Sequence, residues 1–256
     1  MLYLALGVVL LSGILITWVC RRKPGTLLVL AYEKIGTAPK NSPLKKEWTT
    51  VNQFKKTLLW LRAHGFTPIN AGRLNSSAAR PPKPVLLVFM GGYKSFLTDI
   101  FPLLQDSKTP ATLFLPTNAI GTYNKWQDPH QEPWQNLLTE KDLKMLAKSG
   151  LISFGALALN GEDLSVLPTD EAAYLAQEST YRLHTQLGLK ADAFAFYPFQ
   201  KKIGNFAKIT PKGLPVFVDT PATNSLTEKD TFHVFFPKKN PWKTSWNLFT
   251  RRWLIA

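Results

Sequence analysis

The strongest constraint on the fold is an apolar run that ends in a pair of glycines. Residues 84–90 read Pro-Val-Leu-Leu-Val-Phe-Met and are followed at once by Gly91, Gly92 and Tyr93. A continuous aliphatic and aromatic run of this length, bounded by turn residues, is typical of a β-strand buried on both faces. In α/β proteins the turn after such a strand is where functional side chains lie. Here that turn carries no carboxylate, imidazole or thiol.

Strand-like and helix-like segments alternate along the rest of the chain. A capping box at Thr50–Gln53 predicts a helix that ends at Gly65, and Thr139 begins a second helix. A longer amphipathic helix is predicted over 169–187, before Gly188. This alternation over one domain predicts a parallel sheet with outer helices. The other predicted strands are 26–31, 66–69, 111–115, 151–154, 193–197 and 216–218.

Length and charge narrow the function classes. A chain of 256 residues is long enough for one large α/β domain. The net charge of +14 indicates either a solubilising surface or attraction to anionic lipid or an acidic glycan. Basic residues occur in scattered pairs and form no recognised nucleic-acid-binding module, so nucleic acid is not predicted as a partner.

The N-terminus reads as a membrane anchor. Residues 2–20 carry no charge, and at about 20 residues they are long enough to cross a hydrocarbon core. Arg21, Arg22 and Lys23 then stop the segment, and neither a basic n-region nor a small-residue cleavage site is present. We therefore predict an uncleaved anchor over 1–23 and a domain over 24–256. The single cysteine, Cys20, excludes an intrachain disulfide and a thiolate zinc site.

Six segments carry a resemblance to a known family. In chain order they are Leu28–Tyr32, Leu61–Phe66, Leu86–Tyr93, Phe101–Leu104, Pro110–Leu115 and Phe194–Phe199. Their sequences and their order resemble the polysaccharide deacetylases of the NodB-homology (carbohydrate esterase 4) type. The resemblance is greatest to the branch that deacetylates poly-N-acetylglucosamine during matrix export. It implies an α/β fold, an irregular (β/α)7-type barrel preceded by one transmembrane helix.

The resemblance also implies a site that has lost its chemistry. The family's Thr-Phe-Asp-Asp-Gly-Tyr motif supplies a general base and a metal ligand, and Met90 and Gly91 stand at those positions. The family's His-Ser/Thr-x-x-His motif supplies two further ligands, which we align with Ala156 and Asn160. In that branch a histidine that acts as general acid follows a tyrosine, whereas this chain has Glu33 after Tyr32. We predict no bound metal and no cofactor, because these side chains are poor substitutes for one carboxylate and two imidazoles.

Binding remains open to such a domain. The resemblance implies that the Tyr93 backbone N–H holds an acetyl oxygen. Trp126 and Trp134, together with Tyr123 and Tyr197, have faces on which sugars stack. The sequence thus favours a catalytically inactive, membrane-anchored protein that binds a polysaccharide or an envelope-protein partner. Two alternatives stay open: hydrolysis of N-acetyl groups by a changed mechanism using Glu33 or Asn160, and a structural interaction domain without a carbohydrate site.

The side of the membrane is contested by two arguments. Arg21, Arg22 and Lys23 favour a cytoplasmic domain by the positive-inside rule. The resemblance implies work on exported glycan, and long domains translocate largely regardless of flanking charge. We therefore predict that the domain lies outside the cytoplasm.

Overall fold

The computed structural model describes residues 26–45, 48–74, 76, 79, 81–196, 206–218, 224–225 and 231–233. The predicted anchor at 2–20, the basic residues that follow it and Tyr197 lie outside these ranges. Within them, every helix is too short or too polar to span a membrane.

Nine strands of the described residues form one sheet. Its order is β8-β1-β3-β4-β5-β6-β7-β9, with β2 pairing with β3, and all pairs are parallel except β8 with β1. All seven predicted strands are present, but across the described residues the sheet runs as an open half-barrel from β8 to β9. The strands are β1 Thr26–Tyr32, β2 Thr67–Ile69, β3 Pro84–Met90, β4 Ala111–Leu115, β5 Ile152–Ala156, β6 Ala191–Ala195, β7 Val216–Val218, β8 Asn224–Ser225 and β9 Thr231–His233.

The predicted helices begin where their caps place them. The hydroxyl oxygens of Thr50 and Thr139 each accept a hydrogen bond from the N3 backbone N–H. The side chains of the N3 residues, Gln53 and Asp142, each accept one from the N-cap backbone N–H, which completes two capping boxes. Three helical segments were not predicted from periodicity because each is too short to show it: the helices Ala71–Leu74 and Phe206–Ile209 and the 3-10 turn Leu164–Val166. The helices are α1 Val51–Ala63, α2 Ala71–Leu74, α3 Phe101–Asp106, α4 Glu140–Lys148, α5 Thr169–Thr185 and α6 Phe206–Ile209.

Apolar side chains fill both faces of the sheet. A large cluster packs strand residues such as Leu30 and Phe154 against the helices. A second group, which we call the interior cluster, lies on the concave face. β3 is buried along its whole length because it contributes to both layers. The interior cluster comprises Leu27, Val29, Ala31, Ile69, Ala71, Leu74, Leu86, Val88, Met90, Phe114, Leu157, Ala193, Ala195 and Phe217.

Candidate functional site

The carboxyl ends of the parallel strands meet at one edge of the sheet, which we call the mouth. β3 ends there at Met90, whose side chain is 1% exposed and belongs to the interior cluster. Met90 is in register with Phe114 of β4, and the Phe114 and Phe217 rings pack edge-to-face at a centroid distance of 5.3 Å. The floor of the mouth is therefore a packed apolar surface.

The turn after β3 needs glycine for two reasons. Gly91 has φ +84°, a left-handed conformation that other residues rarely adopt. A Cβ atom on Gly91 would also lie 2.8 Å from Tyr93 Cε2 and 3.4 Å from Trp126 Cζ2. The space in which a side chain at position 91 would project is thus already taken by two aromatic rings.

The structure corrects the predicted site at the end of β5. Ala156 belongs to the helix-side cluster, together with Ile152 and Phe154 on the same face of the strand. Leu157 is the residue in the interior cluster with Met90, because side chains alternate across a strand. The position that faces the mouth is therefore Leu157 and not Ala156. Met90 and Leu157 thus belong to the same apolar cluster, and Ala156 belongs to the other one.

Asn160 is exposed, and its backbone N–H donates to the Glu162 carboxylate. The next residue, Gly161, has φ +77°, and a Cβ atom there would lie 2.9 Å from Trp126 Cε3. Gly91 and Gly161 come from different strand ends, yet both abut the same indole. Trp126 therefore sits between the two turns and fills the centre of the mouth.

Trp126 is held there by its neighbours on the loop that joins β4 to α4. We call this segment, residues 116–139, the mouth loop. Trp126 meets Tyr93 edge-to-face at a centroid distance of 6.2 Å and packs on a small cluster with Ala119 and Leu137. The indole remains partly exposed. Its predicted role as a sugar-stacking residue stays a prediction, and its packing role was not predicted.

Tyr93 is buried, so its ring offers no stacking face. Its side chain is 3% exposed, and the Asn124 amide donates to its hydroxyl at 3.5 Å. Burial raises the pKa of the Tyr93 hydroxyl, and the nearby carboxylates of Glu33 and Glu132 raise it further, which outweighs the hydrogen bonds from Asn124 and Trp126. The Tyr93 hydroxyl is therefore neutral at physiological pH. The effect of Glu33 on this pKa places the Glu33 carboxylate close to the mouth.

A buried ion pair fastens the mouth loop to the end of β1. Lys34 Nζ lies 3.2 Å from Glu132 Oε2, and the two side chains are 3% and 0% exposed. Lys34 also donates to Gln127 Oε1 at 3.2 Å. Glu132 Oε1 accepts from Trp48 Nε1 at 2.9 Å and from the Ser42 hydroxyl. We call this group of five side chains the latch.

The charge state of the latch follows from its contacts. Burial alone would raise the pKa of Glu132, but the hydrogen bonds from Ser42, Trp48 and Lys34, together with the Lys34 charge, lower it below its ordinary value of 4.5. Glu132 is therefore a carboxylate at neutral pH. The latch was not predicted, because Lys34 and Glu132 are far apart in sequence and neither stands in a motif.

The part of the mouth that the structure describes does not fit a divalent metal ion. A zinc site draws on imidazole, thiolate and carboxylate ligands, whereas the positions facing the mouth offer a thioether, an aliphatic side chain and two glycines. Across the described ranges, no group of three or more His, Cys, Asp or Glu residues is placed to hold a metal. His64, the C-cap residue of α1, lies away from such a group, with its Nδ1 2.8 Å from the Trp60 carbonyl oxygen.

Part of the chain that includes this site matches a known protein family. Residues 77–202 match the family model described as polysaccharide deacetylase. Residues 77–202 of this chain are thereby identified as a polysaccharide deacetylase domain. This confirms the resemblance inferred from the six segments. The match covers β3 to β6 and the mouth loop, whereas β1, β2 and β7 lie outside it.

Curated relatives of this deacetylase domain are longer proteins. YxkH, a polysaccharide deacetylase homologue of Bacillus subtilis (strain 168), is 28% identical over 138 residues, which cover 52% of this chain and 43% of YxkH. The poly-beta-1,6-N-acetyl-D-glucosamine N-deacetylase of Escherichia coli (strain K12) is 34% identical over 61 residues, 22% of this chain and 9% of that protein. The alignments thus span less than half the length of either relative.

Solved structures extend the likeness over most of the chain. IcaB from Ammonifex degensii superposes with a TM-score of 0.70 at 21% identity, covering 91% of this chain and 99% of IcaB. A de-N-acetylase from Aggregatibacter actinomycetemcomitans superposes with a TM-score of 0.72 at 16% identity, covering 86% of this chain and 98% of that structure. At these identities the likeness shows the deacetylase fold.

Proposed function

We propose that this protein is a non-catalytic member of the polysaccharide deacetylase family that binds glycan in an exopolysaccharide or cell-envelope system. The observation that carries the proposal is the position of Trp126, which lies against Gly91 and Gly161 above an apolar floor. The family's catalytic and metal-binding motifs are, on this account, replaced by packing residues.

The chemistry of the mouth argues against hydrolysis. Water has a pKa of about 16 in bulk and about 7 on a catalytic zinc, so a mouth that cannot hold zinc does not generate hydroxide at neutral pH. A positioned general acid or base contributes roughly 10²–10⁴-fold each. Met90 and Leu157 transfer no proton, and the Tyr93 hydroxyl is buried with a raised pKa. Glu33 is the best candidate for a general acid or base, but without a bound metal there is no activated water for it to act on.

The choice of glycan follows the relatives. Two of them are named for poly-beta-1,6-N-acetyl-D-glucosamine, so an N-acetylglucosamine polymer is the ligand class to try first. A second candidate function is a structural interaction domain without a sugar site, which the packed mouth also favours. The two differ in one property, the ability to bind a sugar chain.

Acetate release and binding, measured on the same sample, test the proposal. The full chain in detergent is incubated with β-1,6-linked N-acetylglucosamine hexamer and added Zn²⁺, Co²⁺ or Ni²⁺. We expect binding by calorimetry with no acetate above the protein-free rate. Metal-dependent acetate release would contradict inactivity, and an absence of binding would leave the structural interaction domain as the better account.

We also propose that residues 2–20 anchor the protein and that the domain lies outside the cytoplasm. The support is the uncharged length of this segment and the export-linked role that the resemblance implies. A reporter fused after Ala256 is expected to be active only in its periplasmic or extracellular form. Activity confined to a reporter that needs the cytoplasm would reverse the orientation.

The charge of +14 is proposed to bring the domain close to an acidic surface, either lipid headgroups or an acidic glycan. Arg21, Arg22 and Lys23 and the C-terminal Arg251 and Arg252, all outside the described residues, are the proposed contacts. Residues 21–256, which keep these basic residues and lack the apolar segment, are expected to bind liposomes containing acidic lipid at low salt and to detach at high salt. Equal partitioning at both salt concentrations would leave the charge with a role in solubility alone.

A further inference from the structure

The mouth loop presents a second surface, on the side that faces away from the mouth. Its two arms run antiparallel, with Tyr123 opposite Asn136. The Asn124 N–H donates to the Gln135 carbonyl at 3.2 Å, and the Leu137 N–H donates to the Thr122 carbonyl at 3.0 Å. The loop is therefore a short hairpin with two distinct faces, and the face toward the mouth carries the buried Asn124 and Leu137.

The outward face carries aromatic rings. Tyr123 is 47% exposed and Trp134 is 43% exposed, although large aromatic side chains are usually buried. Trp134 lies two residues before Asn136, which in an extended arm puts the two side chains on one face. Asn136 stands opposite Tyr123, and Lys125 follows Tyr123 by two residues; both are exposed and add an amide and an ammonium group to this part of the hairpin. We call these four residues the outer platform.

The platform is fixed in place by the same contacts that close the mouth. Trp134 Nε1 donates to the Gln127 carbonyl at 2.8 Å, which orients the indole. The Gln127 side chain accepts from Lys34 in the latch, and Asn124 holds the hairpin on the Tyr93 hydroxyl. A ligand therefore meets rings that are already oriented, and little conformational entropy is lost on binding.

The geometry points to the outer platform as the site that binds a polysaccharide strand, recognised through the apolar faces of its sugar rings. The C–H groups on a pyranose face carry partial positive charge and suit the negative face of an aromatic ring. Asn136 and Lys125 supply hydrogen-bond donors for hydroxyl or acetamido oxygens. This inference rests on the proposed glycan-binding function, and it moves the glycan from the mouth, which Trp126 fills, to the surface above it.

Substitutions in the full chain, titrated with β-1,6-linked N-acetylglucosamine hexamer by calorimetry, test the platform. Tyr123→Ala and Trp134→Ala are each expected to weaken binding about tenfold or more, as loss of a central aromatic contact does. Trp134→Phe keeps a ring face without the N–H and is expected to retain most of the affinity. The matched control is Tyr174→Ala on α5, which removes another exposed tyrosine (63%) outside the platform. This variant is expected to bind as wild type.

The outcomes separate the two claims. If wild type binds the hexamer and both platform alanine variants bind equally well while folded by circular dichroism, the platform is overturned and glycan binding stands. If wild type does not bind the hexamer, the proposed function fails for this glycan and the platform fails with it. Loss of binding in Tyr123→Ala and Trp134→Ala, with Tyr174→Ala unchanged, supports the platform.

Discussion

Replacing Glu132 with alanine is expected to lower the free energy of unfolding by about 3–5 kcal/mol, because it leaves the buried Lys34 ammonium without its counter-charge. The variant also removes the acceptor used by Trp48 and Ser42. Chemical denaturation of the full chain in detergent, followed by far-ultraviolet circular dichroism, measures the change. A loss well under 1 kcal/mol would mean that the latch is hydrated and does not fasten the mouth loop.

A matched carboxylate provides the control for this prediction. Glu140 pairs with Lys144 at i,i+4 on α4, and both side chains are more than half exposed. Exposed i,i+4 pairs contribute about 0.3–0.5 kcal/mol, so Glu140→Ala is expected to change stability little.

The stabilisation by Glu132 also depends on pH. Because the folded-state pKa of Glu132 is below 4.5, its contribution is present above that pH and is lost as the pH falls through the folded pKa. The difference in stability between wild type and Glu132→Ala is thus expected to be full at pH 7 and to shrink in acid. An unchanged difference down to the lowest pH at which both proteins fold would contradict this assignment.

Replacing Met90 with aspartate is expected to destabilise the domain by roughly 3–5 kcal/mol at pH 7, since it places an unpaired carboxylate in an apolar cluster. Burial raises the pKa of such a carboxyl above its ordinary value. The penalty is therefore fully present above the folded pKa and decreases as the pH falls toward the unfolded value.

Met90→Leu separates the effect of charge from that of shape. This swap nearly conserves volume, and such changes usually cost less than about 1.5 kcal/mol. Both variants are measured by urea denaturation at pH 7 and pH 5. Equal stability of the Met90→Asp and Met90→Leu proteins at pH 7 would show that position 90 is open to water, contrary to its packing against Phe114 and Leu157.

The sequence predicted the scaffold well because the scaffold is encoded locally. The apolar run at 84–90, the capping boxes at Thr50 and Thr139 and the glycines that end the helices each act within a few residues. The short β8 and β9 and the open half-barrel were not predicted. Their pairing depends on distant partners, and two or three residues show no periodicity.

The site was predicted less completely because its contacts are long-range. The loss of polar groups at Met90 and Gly91 was visible in the sequence, but the β5 position was assigned one residue early, to Ala156. Strict alternation from Phe154, which faces the helices, would have indicated Leu157. No local signal showed that Trp126 lies between Gly91 and Gly161, since each glycine is 35 positions away from Trp126 in the sequence.

Metal content tests the central claim, that packing side chains have replaced the site chemistry in the mouth, most directly. The untagged full chain is saturated with Zn²⁺, Co²⁺ or Ni²⁺, passed through a desalting column and analysed by inductively coupled plasma mass spectrometry. We predict far less than one metal ion per chain, in wild type and in Asn160→Ala alike. One equivalent of metal retained by wild type and lost in Asn160→Ala or Glu33→Ala would contradict the account.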